Sequence, residues 1–138
     1  MATVNYLAVV VAALAAFFLG ALWYSPALFA KQWMKAHGYT EDKLKEMQKS
    51  AMKAYAVSVV CYLVMASVLA RLNVHMNPDG STLSQGMWLG FLAWIGFAAT
   101  LGLTANMFSE KPLSAYYIDA GYQLAFMLIM GAIIGAWR

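Results

Sequence analysis

Residues 113 to 137 read LSAYYIDAGYQLAFMLIMGAIIGAW. At about 1.5 Å per residue a helix of this length rises roughly 37 Å, enough to cross a hydrocarbon core of about 30 Å. One acidic side chain, Asp119, lies near its start, beside Tyr116, Tyr117, Tyr122 and Gln123. An ionisable group inside a membrane helix is a functional-site hypothesis by default. Reading this stretch as a span decides the fold class, and the rest of the chain agrees with it. Of 138 residues, 63% are hydrophobic and 11% charged, and the mean hydropathy is +0.64. A soluble domain carries about 25% charged residues. The chain belongs to the membrane class, as a single domain over residues 1–138.

Working back from this stretch, Pro112 suits the first turn of a helix, and the short connection before it makes the third and fourth spans antiparallel neighbours. The third span is expected over 83–107. Thr82-Leu83-Ser84-Gln85 fits a capping box at its start. Gly86, Gly90, Ala93, Thr100 and Thr104 fall on one side of it, with Phe97, and Gly86-x-x-x-Gly90 is a close-packing motif. Gly131 and Gly135 form a second small-residue pair on the last helix. Asn77-Pro78-Asp79-Gly80 reads as a β-turn.

The second span is expected over 53–72, with Tyr55, Ser58 and Tyr62 on one face. An unbroken polar extension, 40–52, precedes it. Thr40 is its N-cap, Glu41 and Asp42 occupy the positive first turn, and Lys45, Lys49 and Lys53 form a stripe. Before that, residues 26–36 are expected as a helix lying in the membrane surface, N-capped by Ser25 with Pro26 at its first position and stopped at Gly38. Phe29 and Trp33 share one side of it, and Lys31 and Lys35 another. The first span, 6–24, holds no charge. No Lys or Arg precedes it and no convincing cleavage site comes after it, so it reads as an uncleaved helix rather than a signal peptide. Ala12, Ala16 and Gly20 form its small-residue face. Trp23 and Tyr24 are expected in the interfacial aromatic belt, with Trp33.

Seven basic residues, Lys31, Lys35, Lys43, Lys45, Lys49, Lys53 and Lys111, fall on one side of this threading, against Arg71 and Arg138 on the other. The positive-inside rule puts the seven in the cytoplasm and both termini outside it. Lysines at such a surface meet anionic lipid, each contributing about 1 kcal/mol. No recognition motif calls for nucleic acid.

Chemistry is sparse. Cys61 is the single cysteine, and His37 and His75 fall on opposite sides of the membrane, so no metal cluster is expected. Ten methionines are scattered, several inside spans where Met is ordinary core filler. No nucleophile-elbow, Walker or zinc motif occurs, and neither a catalytic residue nor a cofactor is expected. The candidate polar site is Asp119 with Gln123, Tyr122, Asn106 and Tyr55. Its two readings are a hydrogen-bonded tie between helix ends and the mouth of a cavity for a proton, cation or polar substrate. The shallow depth of Asp119 favours the tie, because a carboxylate near the interface costs less than the ~2.5–3.5 kcal/mol assigned to the bilayer centre. The helix face carrying Asp119 turns apolar after Gln123, so no polar pathway crosses the membrane along it.

Two stretches, GALWYSPALFAKQWMKAHG (20–38) and NMFSEKPLSAYYIDAGYQLAFMLIMGAIIGAW (106–137), resemble the small membrane proteins of domain-of-unknown-function family 1761. The resemblance covers essentially the whole chain. It implies four transmembrane helices in a prokaryotic inner membrane and implies no activity. It also implies Asn at the position of Asp119 in many members, which favours hydrogen bonding there.

The expectation is therefore an all-α polytopic integral membrane protein with four transmembrane helices and a short interfacial helix. Its expected role is a non-enzymatic, homo-oligomeric membrane module that is structural or lipid-interacting. Trp23, Tyr24, Trp33, Lys31, Lys45, Lys49 and Lys53 are its expected lipid and interface contacts, and anionic lipid is the expected partner. The alternative is a small transporter or channel built around Asp119.

Overall fold

The stretch from Leu113 forms one helix that packs against every other span in the computed structural model, which describes residues 3–138. Six helices occur among the described residues: α1 (Tyr6–Trp23), α2 (Ala30–His37), α3 (Glu41–Gln48), α4 (Ala51–Met76), α5 (Leu83–Phe108) and α6 (Leu113–Ala136). The chain is all-α. Four of the helices, α1, α4, α5 and α6, are long and apolar enough to cross a membrane. They run up and down in sequence, so α2, α3 and the start of α6 share one end of the bundle. Both termini lie at the other end, where Asn5 Nδ2 donates to the Trp137 carbonyl at 3.3 Å.

The small-residue motifs are used inside the chain. A Cβ placed on Gly86 would overlap the Gly131 carbonyl oxygen, and one on Gly90 would overlap that of Met127. A Cβ on Gly135 would lie 2.5 Å from the Thr82 carbonyl oxygen. The α5 and α6 backbones therefore approach as only glycine permits, and close-range dispersion holds them together in place of side-chain interdigitation. Ala12 and Ala16 of α1 are fully buried, as are Ala66 of α4 and Met130 of α6. Phe18, Val60, Phe97 and Leu101 point outward, as apolar side chains facing lipid do. These glycine contacts between α5 and α6 are made within one protomer.

Four local expectations need correction. First, the packing face of α5 does not continue through Phe97, Thr100 and Thr104, which are exposed. A π-helical turn at Trp94–Ala98 inserts one extra residue and rotates the remainder of α5 by about a quarter turn, so Ala99, Gly102 and Asn106 take over the inner side. Thr100 Oγ1 stabilises the widened turn by donating to the Gly96 and Phe97 carbonyls at 3.0 and 3.1 Å. Second, the extension and second span are not one helix. A turn at Lys49–Ser50, with the Ser50 amide donating to the Met47 carbonyl at 3.2 Å, separates α3 from α4. The lysine stripe is broken there.

Third, Ser25 does not start a helix. Its hydroxyl donates to the Leu22 carbonyl at 2.6 Å and finishes α1, and turns carry the chain from Pro26 to Phe29 before α2 begins at Ala30. Fourth, α4 extends to Met76, so Asn73 is helical rather than in the loop, and it is fully buried. Its Nδ2 donates to Ser81 Oγ at 2.9 Å, and that hydroxyl donates to the Gly135 carbonyl at 2.8 Å. This satisfied network seals the end of the bundle that holds the termini.

The other expected caps are present. Thr40 Oγ1 accepts from the Lys43 amide at 3.2 Å, and Thr82 and Gln85 form the reciprocal capping box. Gly38 closes α2 at φ +70°, a left-handed conformation suited to glycine. Gly80 closes the turn after α4, its amide donating to the Asn77 carbonyl at 3.2 Å.

Candidate functional site

At the end of the bundle opposite the termini, residues of α1, α2, α3, α4 and α6 line a cleft of about 760 Å³. Tyr122 and Asp119 of α6 contribute to its lining, with Gly20, Ala21 and Tyr24 from α1. Ala30, Trp33 and Met34 of α2 line one side, and Tyr55, Ser58 and Tyr62 of α4 line the other. Leu44 reaches in from α3. The periodicity of α4 explains its share, since Tyr55, Ser58 and Tyr62 are three and four residues apart and fall on one face.

Asp119 is held from two directions. Tyr24 Oη donates to its Oδ1 at 2.5 Å, and Trp33 Nε1 donates to the same oxygen at 3.1 Å. The two donors come from α2 and from the residue that ends α1. The turn between these helices brings them together, with the Phe29 amide on the Trp23 carbonyl at 3.1 Å. Trp23 fixes this corner to α6, its Nε1 donating to the Ile118 carbonyl at 3.0 Å. Gly121 leaves room for the Trp23 ring, because a Cβ there would lie 3.2 Å from it. Beyond Trp33 the rings of His37 and Tyr39 continue the stack, and Lys111 Nζ lies 5.8 Å from the Tyr39 ring centre. The surface helix is thereby pinned to the start of α6.

Tyr122 closes the inner limit of the cleft. Its hydroxyl donates to the Ala16 carbonyl at 2.7 Å, and the Tyr62 hydroxyl lies 2.9 Å away and donates to it. Ala16 offers only an acceptor to the pair, so the direction of the chain is fixed. Gly20 permits it, since a Cβ there would lie 2.7 Å from the Tyr122 hydroxyl oxygen. Further in, Phe126 stacks edge-on against Tyr122 at 4.9 Å, and Met130 is fully buried. The interior is apolar from that point.

The structure brings together part of the expected polar site. Asp119, Tyr122 and Tyr55 line the cleft, whereas Gln123 and Asn106 do not. Gln123 faces Gly102 of α5, and Asn106 Nδ2 donates to the Pro112 carbonyl at 3.4 Å. Trp23, Tyr24 and Trp33, expected as lipid contacts, turn toward α6, and two of them are the partners of Asp119. The property that suggested a membrane anchor, an apolar ring with one polar atom, serves equally to reach a buried acceptor. Lys31, Lys45, Lys49 and Lys53 are exposed, and none lines the cleft. Among the described residues no group of three or more His, Cys, Asp or Glu side chains could hold a metal ion.

Comparison with curated proteins and with solved structures finds no match to this chain. A family model described as "Protein of unknown function (DUF1761)" matches residues 7–135, nearly the whole chain and all four spans. The protein therefore belongs to the DUF1761 family.

Proposed function

We propose that this protein is a non-enzymatic membrane module that holds one lipid-like amphiphile in the cleft between α1, α2 and α4. The observation that carries the reading is the cleft itself, about 760 Å³ in volume with apolar walls and a polar group on α6. Sites for small amphiphiles are concave, mostly apolar and carry few polar groups. Phe17, Ala21, Met34 and Leu44 supply apolar surface, and Asp119 and Ser58 supply polarity. In the proposed orientation the cleft opens at the cytoplasmic face of a prokaryotic inner membrane. The exposed Lys31, Lys45, Lys49 and Lys53 there meet anionic headgroups and hold the surface helices against the bilayer.

Binding is favoured over transport by the interior beyond the cleft. Phe126 and Met130 are buried there, so a transported solute would meet packed apolar side chains. Because the glycine pairs close within one chain, the proposed functional unit is a single protomer rather than a homo-oligomer.

Native mass spectrometry from mild detergent tests the reading. One retained amphiphile per chain is expected, and Ser58→Trp, which fills the cleft, should abolish it. A bare chain, or an adduct unchanged in Ser58→Trp, overturns the proposal. The same spectra read the stoichiometry of the protein. Charge reversal of Lys45, Lys49 and Lys53 together should lower co-purified anionic lipid, and unchanged anionic lipid would remove the lysines from the account.

A further inference from the structure

Asp119 uses one carboxylate oxygen for its protein contacts. Tyr24 and Trp33 both donate to Oδ1. Oδ2 has no hydrogen-bond partner among the described residues and is not one of the enclosed, unpartnered atoms. Asp119 also lines the cleft, so Oδ2 is a free acceptor on a residue of the cleft wall. No Lys, Arg or His lines the cleft. The carboxylate thus has no cationic side chain beside it in the cavity. Tyr24 and Trp33 touch it, and the aromatic side chains of Tyr55 and Tyr62 line the same cleft. Ring faces attract cations, and aromatic cages are the recurring device for binding ammonium groups.

We infer that the cleft selects an amphiphile with an ammonium headgroup, which sits against Asp119 Oδ2 among these rings while its apolar tail lies along Phe17, Met34 and Leu44. The inference rests on the cleft being an amphiphile site and adds the charge of the head. Three observations exclude other occupants of the carboxylate. A bare metal ion would find one carboxylate where metals of the hard class take six or more oxygens. An anionic head would face Asp119 with no basic side chain to neutralise it. A small hydrated cation would leave most of about 760 Å³ of largely apolar space unfilled. An alkylammonium matches both the charged point and the apolar volume. The head of an aminophospholipid and a free cationic amphiphile both carry that group, and the chemistry at Asp119 is the same for both.

The test uses the full chain in neutral maltoside micelles, with binding read by native mass spectrometry and by the shift in thermal melting. Dodecyltrimethylammonium is compared with dodecanol, which has the same tail and no charge. The expected result is at least about tenfold tighter binding of the cation, as one close charge pair supplies. Asp119→Asn keeps an oxygen for Tyr24 and Trp33 and removes the charge, so the preference should disappear while dodecanol binding persists. Equal affinity for the two probes, or a preference that survives Asp119→Asn, overturns the inference and leaves the cleft reading standing. Binding of neither probe overturns the cleft reading as well.

Should Asp119→Asn fail to fold, Tyr55→Leu carries the test from the rim of the cleft. It should weaken the cation about threefold more than it weakens dodecanol. Equal effects on both probes count against the inference. A further pair of arms separates the sources. Retention of phosphatidylethanolamine over phosphatidylglycerol with matched chains identifies a membrane lipid, and retention of dodecyltrimethylammonium alone identifies a free amphiphile.

Discussion

Tyr24 and Asp119 lie 95 positions apart in sequence and 2.5 Å apart in space, the phenol donating to the carboxylate. This contact ties the end of α1 to the first turns of α6. Hydrogen bonds to charged groups contribute about 1.5–3 kcal/mol. Tyr24→Phe should therefore lower the melting temperature in detergent by the equivalent of about 2 kcal/mol. Tyr117→Phe, on an exposed tyrosine two positions before Asp119, should leave it unchanged. Equal melting of the two variants would mean that the contact does not hold the helices.

The glycine contacts between α5 and α6 make a sharper prediction. In an ordinary helix interior Gly→Ala stabilises by up to about 1 kcal/mol. At Gly86 or Gly131 the added methyl meets backbone, which cannot rotate aside. Overpacking costs about 1–3 kcal/mol, so Gly86→Ala and Gly131→Ala should both destabilise. At Gly96 a Cβ meets nothing within 4 Å, and Gly96→Ala should be neutral or mildly stabilising. Thermal or denaturant unfolding of the three variants, side by side, reads the sign.

Gly20 and Tyr122 should be energetically coupled. Gly20→Ala pushes its methyl at the Tyr122 hydroxyl and breaks the bond to the Ala16 carbonyl. Tyr122→Phe removes that hydroxyl. Once either change is made the other has less left to disturb, so the double variant should be more stable than the sum of the singles by about 1 kcal/mol, within the range found for touching residues. Strict additivity would show that the two positions act independently.

At the opposite end, Asn73→Ala removes a fully buried amide from Ser81. Leaving a buried partner unsatisfied costs about 1–3 kcal/mol. Met76→Ala, on the exposed side of the same helix, should cost little. Amide hydrogen exchange should show faster opening of residues 73–82 in Asn73→Ala alone.

Cys61 lies near the middle of α4 and is exposed. If α4 crosses the bilayer, its thiol faces lipid. In intact membranes a charged maleimide should leave Cys61 unmodified, and in detergent it should react. In a Cys61→Ala background, Lys45→Cys should be labelled from the cytoplasmic side and Asp79→Cys from the other. Labelling of both from one side would overturn the threading.

Much of this protein is legible in the order of its residues. Four apolar runs of membrane length, the cap at Thr40, the capping box at Thr82 and the left-handed stop at Gly38 are local features. Each depends on residues within a few positions, and short-range chemistry determines them. The Gly86 and Gly131 motifs also announce close packing, although not which helix each will meet. The π turn at Trp94 escapes a reading based on a 3.6-residue period, because one inserted residue changes the face without any charge, proline or break to mark it.

The candidate site divides along the same line. Asp119 is conspicuous as the lone acid of a span, and Tyr55, Ser58 and Tyr62 share a face by helical spacing alone. Asn106 and Gln123 carry the same polar signal, yet they belong to other contacts, because closeness along the membrane normal is not closeness around a bundle. Trp33 is legible only as an aromatic on a surface helix. Its role depends on the turn at residues 25–29, which folds α2 back so that the indole meets a carboxylate 86 positions away. By itself, the sequence determined that the chain is four membrane-spanning helices with caps and connections in their places, since hydrophobic length and local hydrogen bonding act along the chain. Only the tertiary structure decided that Tyr24, Trp33 and Asp119 form one cluster beside a cleft. That meeting depends on the angles and registers at which helices pack, and these are set by contacts between residues far apart in sequence.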